Sequence, residues 1–390
     1  MSRLRKAATT NRRTALGLCF GLGLFAAAPA ANAQEAIKVG FTGPLSGSLS
    51  LLGQGVRDGV ETFFAEINEA GGIGGRKLQL IAEDDGYEPM RTIAGARKLV
   101  EQDKVVAILA PTGTAQTAAL LPFIQESKTP LLFPYGFSKA LTTPTKRYAF
   151  TTLQEVRVQM IILADFILKE LKQTKIAAIY QNDDFGQDAV AGLEERLGRD
   201  KITLTKLPFD RGTTNFSGVA AQAQQAGVEH VVFLGIPKDA ALVLRETSKI
   251  GWKPQFSGHN ALGDPQTFQL AGNLIEGALA VAVMEPIDSD KPAVKQFLDA
   301  QKKYLPRTQP TTYSMHGYNA GKLFAEALKR ANGKTDPDSI VAALESIKDF
   351  ETGFMGPTTF STDRHAGNLS GAFMKAQGGK WRVITGWQSM

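Results

Sequence analysis

Cysteine is nearly absent from this chain, with one residue, Cys19, among 390. A single cysteine excludes an internal disulfide and a cysteine-rich metal site. The histidines are also few, and the four of them (His230, His259, His316 and His365) lack the spacing of metal ligands. We therefore expect no metal and no cofactor.

Long apolar runs are missing beyond the N-terminus, since no later segment has the roughly 18 uninterrupted apolar residues of a membrane span. The first 33 residues hold five basic side chains and no acid, then the apolar run Ala15–Ala28, and they end on Ala31-Asn32-Ala33. This order is typical of a secretory signal peptide cleaved after Ala33. Arg12-Arg13 leaves the twin-arginine route open beside ordinary export. We expect a soluble periplasmic protein starting near Gln34.

A large net charge is missing as well. The formal charge is +6, but five basic residues lie in the predicted signal peptide, which leaves +1 after cleavage. So small a charge is not typical of nucleic-acid binding. We expect no nucleic-acid partner.

Short strand-like runs alternate with amphipathic helical stretches along the rest of the chain, in two consecutive arrays. In the first array, strands are predicted at Ile37–Thr42, Lys77–Asp85, Val105–Ala110 and Pro130–Tyr135. The second array runs from Tyr148 to Val283 in the same style. This alternation indicates parallel sheets covered by helices. The 357 residues that follow Ala33 are more than one hydrophobic core usually organises, so we expect two lobes.

The last hundred residues break the alternation. They contain three predicted helices and then three late strands at Phe354–Phe360, Gly371–Ala376 and Trp381–Thr385. We infer that the chain returns to the first lobe and ends in the second. The prediction is an α/β fold of two doubly wound parallel-sheet lobes. Its segments are the signal peptide 1–33, the first lobe 34–154 with a return segment 284–359, and the second lobe 155–283 with C-terminal strands 360–390.

Polar and aromatic residues gather in six loops that follow predicted strands, where a doubly wound fold binds its ligands. These loops are 43–53, 113–115, 135–138, 182–186, 236–239 and 259–262. Thr114 precedes a helix, so its hydroxyl and the first helical N–H groups would attract an anion. An ordinary threonine cap is the plainer interpretation of that residue alone.

An enzyme remains a remote alternative. The segment Thr42–Gly47 and the Tyr135-x-x-x-Lys139 spacing together imitate a short-chain dehydrogenase. However, Leu49 stands where a glycine is required, and Pro134 disfavours a helix that would carry both Tyr135 and Lys139. We therefore expect no catalytic activity.

The chain also contains several longer motifs that are informative in combination. They are Ile37-Lys38-Val39-Gly40 with Gly43-Pro44-Leu45-Ser46-Gly47, Ile67–Arg76, Asp84–Pro89, Tyr180–Gly186, Ile250-Gly251-Trp252-Lys253-Pro254 and Gly356-Pro357. In combination the chain resembles the ABC-transporter solute-binding proteins of the leucine/isoleucine/valine (hydrophobic amino acid) family, which have the type I periplasmic binding fold. The resemblance implies a Venus-flytrap of two lobes joined by three crossovers, with the ligand clamped between the lobes.

The resemblance also implies which residues meet the ligand. A ligand carboxylate would contact Thr114 and the backbone around Tyr135 and Phe137, while other residues form walls. The candidate ligand-binding residues are Leu52, Gly113, Thr114, Tyr135, Gly136, Phe137, Phe185, Ile236 and Asn260.

At two of these positions the residue differs from the one that amino-acid receptors of the family carry. Asn260 falls where such receptors carry an acid for the ligand's ammonium, and Phe137 replaces a threonine that helps to hold it. An ammonium buried without a countercharge costs several kcal/mol, so the pocket suits an apolar or aromatic carboxylate. Glu155 could still supply a charge, which keeps a branched-chain amino acid as an alternative. Tyr87 and Gly113 occupy the positions of a disulfide common in the family.

The expected role is a monomeric, non-catalytic receptor that delivers a small molecule to the membrane permease of an ABC importer. A ligand-sensing module of the same fold is the alternative.

Overall fold

The computed structural model describes residues 35–137, 139–368 and 370–389. The predicted signal peptide lies outside these residues, as does Ser138 of the loop 135–138. The strands are β1 (Ile37–Gly43), β2 (Leu78–Asp84), β3 (Ile108–Leu109), β4 (Leu131–Leu132), β5 (Ala149–Phe150), β6 (Ile176–Gln181), β7 (Thr205–Phe209), β8 (His230–Leu234), β9 (Gln255–Gly258), β10 (Leu279–Ala282), β11 (Ser370–Gln377), β12 (Lys380–Val383) and β13 (Gln388–Ser389).

Eleven α-helices are described in these ranges. They are α1 (Ser50–Glu69), α2 (Pro89–Glu101), α3 (Thr114–Ser127), α4 (Val156–Phe166), α5 (Asp184–Gly198), α6 (Ser217–Gln225), α7 (Pro237–Lys249), α8 (Gln266–Ala271), α9 (Pro292–Tyr304), α10 (Thr312–Arg330) and α11 (Pro337–Glu345). A π-helical turn, Ile167–Leu171, continues α4, and short 3-10 helices cover Lys139–Leu141, Asn260–Gly263 and Gly272–Ile275. Within the described residues, no helix is both long and apolar enough to cross a bilayer.

The strands form two sheets with the same internal order. The first sheet is β2-β1-β3-β4-β5, and all its pairings are parallel. The second contains β7-β6-β8-β9-β10 in parallel, followed by the antiparallel strands β11 and β12. Each parallel part has the doubly wound order 2-1-3-4-5, which opens a crevice where the order reverses. The predicted α/β fold of two parallel-sheet lobes is confirmed.

Burial explains why the sequence forms parallel strands. Six of the seven residues of β1 and all of β6 and β8 are buried, because helices cover both faces of each sheet. We call β1–β5 with α1–α3 and α9–α11 the first lobe, and β6–β12 with α4–α8 the second lobe.

Two glycines set the close packing of α1 on α10 in the first lobe. A Cβ atom on Gly59 would lie 1.8 Å from the carbonyl oxygen of Ser314, and one on Gly317 would lie 2.0 Å from that of Val56. No side chain fits in either gap, so glycine is needed at both positions. This contact joins α10, in the return segment, to α1, in the first segment of the same lobe.

The chain passes between the sheets three times. The first passage lies between Phe150 and Val156, and the second between Ala282 and Pro292. The third lies after Thr358, which pairs with Phe350, and before Ser370, where β11 begins.

The predicted strand Phe354–Phe360 is wrong. Its pairing in the described residues is one bridge between Phe350 and Thr358. The apolar side chains that suggested a strand pack into the first lobe instead, where the ring centroid of Phe354 lies 5.8 Å from that of Tyr318. Burial alone produced the strand-like pattern.

Candidate functional site

A small cavity lies between the carboxyl ends of the two sheets, and its volume is about 40 Å³. Its lining residues are Leu52, Tyr87, Gly113, Thr114, Tyr135, Phe137, Gln181, Phe185, Gly235, Ile236, His259 and Ala261. The segments after β1 and β3 and those at the ends of β6 and β8 all contribute. The cavity therefore sits where the crevices of the two lobes face each other.

Seven of the nine sequence-predicted residues line this cavity. Gly136 and Asn260 do not. A Cβ atom on Gly136 would lie 2.5 Å from Thr117 Oγ1, so this glycine allows the segment to approach α3. Asn260 is buried beside Tyr135, and its Nδ2 donates to the Tyr135 hydroxyl over 3.2 Å. Asn260 therefore orients a cavity residue across the lobes.

The start of α3 forms the polar end of the cavity. Gly113 precedes the helix with a φ of 112°, and among the described residues no side chain caps the helix. Thr114 Oγ1 accepts a hydrogen bond from the Phe137 N–H at 3.2 Å, which leaves its own hydroxyl proton available to donate. Unpaired N–H groups and the helix dipole favour an anion at this point.

Aromatic rings form much of the cavity wall and meet across the lobes. The ring centroid of Phe185 lies 6.5 Å from that of Phe137 and 4.8 Å from that of His259. Tyr135 packs edge-on against Phe137 with a centroid distance of 5.2 Å. These rings offer an apolar enclosure to the body of a ligand.

The cavity carries no formal charge at neutral pH, since none of its described lining residues is Asp, Glu, Lys or Arg. Burial lowers the pKa of His259, which keeps its imidazole neutral. Burial also raises the pKa of Tyr135, as does the nearby Asp264. Asp264 does not line the cavity, and it accepts hydrogen bonds from the N–H groups of Gln266 (2.8 Å) and Thr312 (3.0 Å).

Tyr87 is a wall residue that the sequence did not mark as part of the site. It follows β2 with a φ of 67°, and its carbonyl accepts from Gln116 Nε2 at 2.6 Å. A Cβ atom on Gly113 would lie 2.8 Å from Tyr87 Cε2, so the glycine makes room for the ring. The two positions that replace the family's disulfide are thus in contact, and an aromatic ring fills the space.

Arg211 of the second lobe covers Tyr87 from outside. Its guanidinium carbon lies 4.6 Å from the centre of the Tyr87 ring, and its Nη2 lies 2.7 Å from Asp183 Oδ2. Asp183 also caps α5, accepting from the Gly186 N–H at 3.1 Å. This cation–π contact joins the lobes at the edge of the cavity.

Gln181, Gly235, His259 and Ala261 were also missed as individual site residues. His259 and Ala261 lie in the predicted loop 259–262, and the other two lie at or just after a strand end. A rule that includes the last residue of each parallel strand and the one after it would have found Gln181, Gly235 and His259, but not Ala261.

The dehydrogenase-like arrangement is not present. Tyr135 is buried at the cavity, whereas Lys139 is exposed in a separate 3-10 helix, so the two do not share a helix face. Within the described ranges, no cluster of three or more His, Cys, Asp or Glu side chains could hold a metal ion.

A larger groove of about 520 Å³ on the second lobe is a weaker candidate. Four of its charged side chains pair with one another, since Arg196 lies 2.5 Å from both Asp165 and Asp200, and Lys169 lies 2.5 Å from Asp165. Charged groups that are already paired with one another at the surface are poorly available to bind a small ligand.

Known proteins share this architecture. The profile of the periplasmic binding protein family matches residues 36–380. A Leu/Ile/Val-binding protein homolog from Brucella melitensis is 27% identical over 346 residues, which cover 87% of this chain and 90% of that protein. The structure of a possible leucine/isoleucine/valine-binding protein from Rhodopirellula baltica has a TM-score of 0.84 at 24% identity, covering 92% of this chain and 98% of that one. A branched-chain amino acid ABC transporter structure from Thermus thermophilus with bound valine has a TM-score of 0.83 at 22% identity, covering 92% and 97%.

Proposed function

The chain belongs to the periplasmic binding protein family, and from that premise we propose that it is the solute receptor of an ABC importer whose ligand is a small carboxylate with an apolar body. Family membership implies an exported, periplasmic protein. The permease of the importer is then its partner, and the receptor acts as a monomer without catalysis. One observation supports the ligand class above all: the cavity offers a site for an anion and no partner for a cation.

The anion site is the start of α3. A carboxylate there would accept from the first N–H groups of the helix and from the Thr114 hydroxyl, and Gly113 has no Cβ to block its approach. Hydrogen bonds to a charged group are worth roughly 1.5–3 kcal/mol each. The Phe185 and Phe137 rings would then enclose the apolar body.

The missing cation site argues against an α-amino acid. An amino acid brings an ammonium into the same enclosure, and the described lining residues include no acid to pair with it. Glu155, which the sequence suggested as a substitute, does not line the cavity and accepts instead from Thr142 Oγ1. Leaving an ammonium unpaired in a buried site costs several kcal/mol.

A branched-chain amino acid is the second candidate, favoured by the names of the relatives and by the valine in one similar structure. In that case the ammonium would have to be held by neutral acceptors such as Gln181, whose side chain lines the cavity. A ligand-sensing role would use the same site without a permease.

Two measurements test the proposal. Mass spectrometry of small molecules released by denaturing the purified protein identifies a resident ligand. A thermal-shift panel then compares 3-methylbutanoate and benzoate with leucine and valine. A ligand at one hundred times its Kd stabilises the folded state by roughly 2.7 kcal/mol. Strong shifts with leucine or valine and none with the acids would show that the charge argument is wrong.

A further inference from the structure

A second cavity of about 120 Å³ adjoins the first at the mouth of the cleft. We call it the vestibule. Leu52 of the first lobe and Ile236 of the second line both cavities, so these two side chains form the partition between them. Both are half-buried, which leaves them room to change rotamer.

The vestibule is mostly apolar, with Ser48, Lys238 and Gln266 as its polar lining residues, and both lobes contribute to it. Leu49 and Leu51 come from the start of α1, and Pro237 and Leu270 come from α7 and α8. Leu51 is 61% exposed and Leu270 is 37% exposed. Large apolar side chains that remain exposed and gather on one surface usually mark a binding site.

An aromatic floor connects the two cavities. Tyr313, which is buried beneath the vestibule, packs edge-on against Tyr135 of the central cavity with a ring-centroid distance of 5.3 Å. The apolar surface therefore continues from the start of α3, past the partition, to the cleft mouth.

The central cavity is small for an apolar ligand. Its 40 Å³ compares with the roughly 150 Å³ of a cavity that holds benzene. A ligand anchored at Thr114 can gain more apolar contact by extending past Leu52 and Ile236 than by widening the central cavity, which is closed by buried aromatic rings.

We propose that the vestibule is a second subsite for the distal part of the ligand, so that the receptor prefers carboxylates with an extended hydrocarbon chain over compact ones. This inference rests on the proposed function, because the carboxylate must be anchored at α3 for its chain to reach the vestibule. The chain passes between Leu52 and Ile236 and ends among Leu49, Leu51 and Leu270.

Calorimetric titration of the mature protein with butanoate, hexanoate and octanoate tests this inference. Affinity should rise about fourfold for each methylene that leaves water, as expected for burial of a hydrocarbon chain. Leu270→Ser should reduce the advantage of octanoate over butanoate several-fold and leave butanoate binding unchanged. The matched control is Leu274→Ser, since Leu274 is similarly exposed at 41% but lies outside the vestibule.

The outcomes separate the two proposals. If butanoate binds and octanoate binds no tighter, the vestibule subsite is refuted while the proposed function stands. An equal loss in the Leu270 and Leu274 variants would also refute it, because the gain would then come from nonspecific surface contact. If none of these acids binds, and benzoate does not bind either, the proposed function fails and the subsite fails with it.

Discussion

We predict that the contact between Arg211 and Tyr87 stabilises a closed arrangement of the two lobes, and a double-mutant cycle can measure its contribution. The guanidinium of Arg211 lies over the Tyr87 ring at 4.6 Å, and the Arg211 side chain is 31% exposed. A cation–π contact is worth about 0.5–1 kcal/mol at an exposed site and about 2 when desolvated. For a side chain that is one-third exposed we expect about 1 kcal/mol. The additional contact from Nη1 to the Tyr87 carbonyl, at 3.4 Å, adds little.

We expect the contact to form only when the lobes are closed, so its loss should shift the population toward an open form and weaken ligand binding about fivefold. The cycle compares the parent, Arg211→Met, Tyr87→Leu and the double variant. Arg211→Met also deprives Asp183 of its ion pair, but that effect is present with either residue at position 87 and cancels in the coupling energy.

Isothermal titration with 3-methylbutanoate or benzoate, whichever binds more tightly, gives the four binding free energies. The control Arg199→Met removes an arginine that is 60% exposed and pairs with Glu195 of the same lobe, so its Kd should match the parent's. A coupling energy indistinguishable from zero, with all four proteins unfolding cooperatively, would refute a role for this contact in closure.

Helix packing, ligand anchoring and acid stability lead to three further expectations. Gly317→Ala should lower the free energy of unfolding in urea by about 1–3 kcal/mol, because its Cβ would lie 2.0 Å from the Val56 carbonyl oxygen; Gly218→Ala, which meets no described atom within 4 Å outside its helix, should be neutral or slightly stabilising. Thr114→Ala should weaken benzoate binding by about 1–3 kcal/mol in calorimetry while Thr114→Ser keeps most of the affinity, and equal affinities would contradict the anchor. Burial lowers the pKa of His316 to about 4, whereas the unfolded chain protonates this histidine near pH 6.5. Stability should therefore be complete above pH 6.5 and fall by roughly 2–3 kcal/mol towards pH 4, with a shallower fall in His316→Gln; parallel curves for the two proteins would contradict this.

Most helices and strands were predictable because local patterns determine them. The predicted strand Ile37–Thr42 ends one residue before β1 does, and the predicted strand Lys77–Asp85 extends one residue beyond β2 at each end. The start of α1 is less easily recognised in the sequence, because its first turn lacks an acidic residue and a side-chain cap. Leu51, which the first turn of α1 carries to the vestibule, was not among the predicted site residues, although its neighbour Leu52 was.

Site residues were predictable where their position is determined by the end of a strand. Thr114 and Phe185 lie five and four residues past the ends of β3 and β6, at the starts of α3 and α5, and both line the cavity. Asn260 follows a strand as well, yet its amide turns to the Tyr135 hydroxyl. Which of several neighbouring loop residues faces a cavity depends on φ and ψ angles and on packing, and these are not visible in a strand-end rule.

Contacts between the lobes were the least predictable feature. Arg211 and Tyr87 are separated by 124 residues, and the partition residues Leu52 and Ile236, which also come from opposite lobes, are separated by 184. Nothing in a local sequence pattern relates them, since their proximity depends on how far the lobes close and not on either sheet alone.

The ligand's charge is nevertheless decided by a few residues whose types are visible in the sequence. An anion needs only backbone N–H groups and a hydroxyl, and a helix that starts after Gly113 can supply both to any carboxylate. An ammonium needs a carboxylate or several aligned acceptors, and this requirement is more demanding because a buried cation without them loses its hydration. Asn260 and Phe137 stand where amino-acid receptors carry an acid and a threonine for the ammonium. The lining residues Tyr87, Gln181 and His259 add no negative charge in their place. We therefore expect the lining to accept a carboxylate and to discriminate against an amino group, so the acid and its amino-acid analogue should differ in affinity even though their hydrocarbon parts are the same.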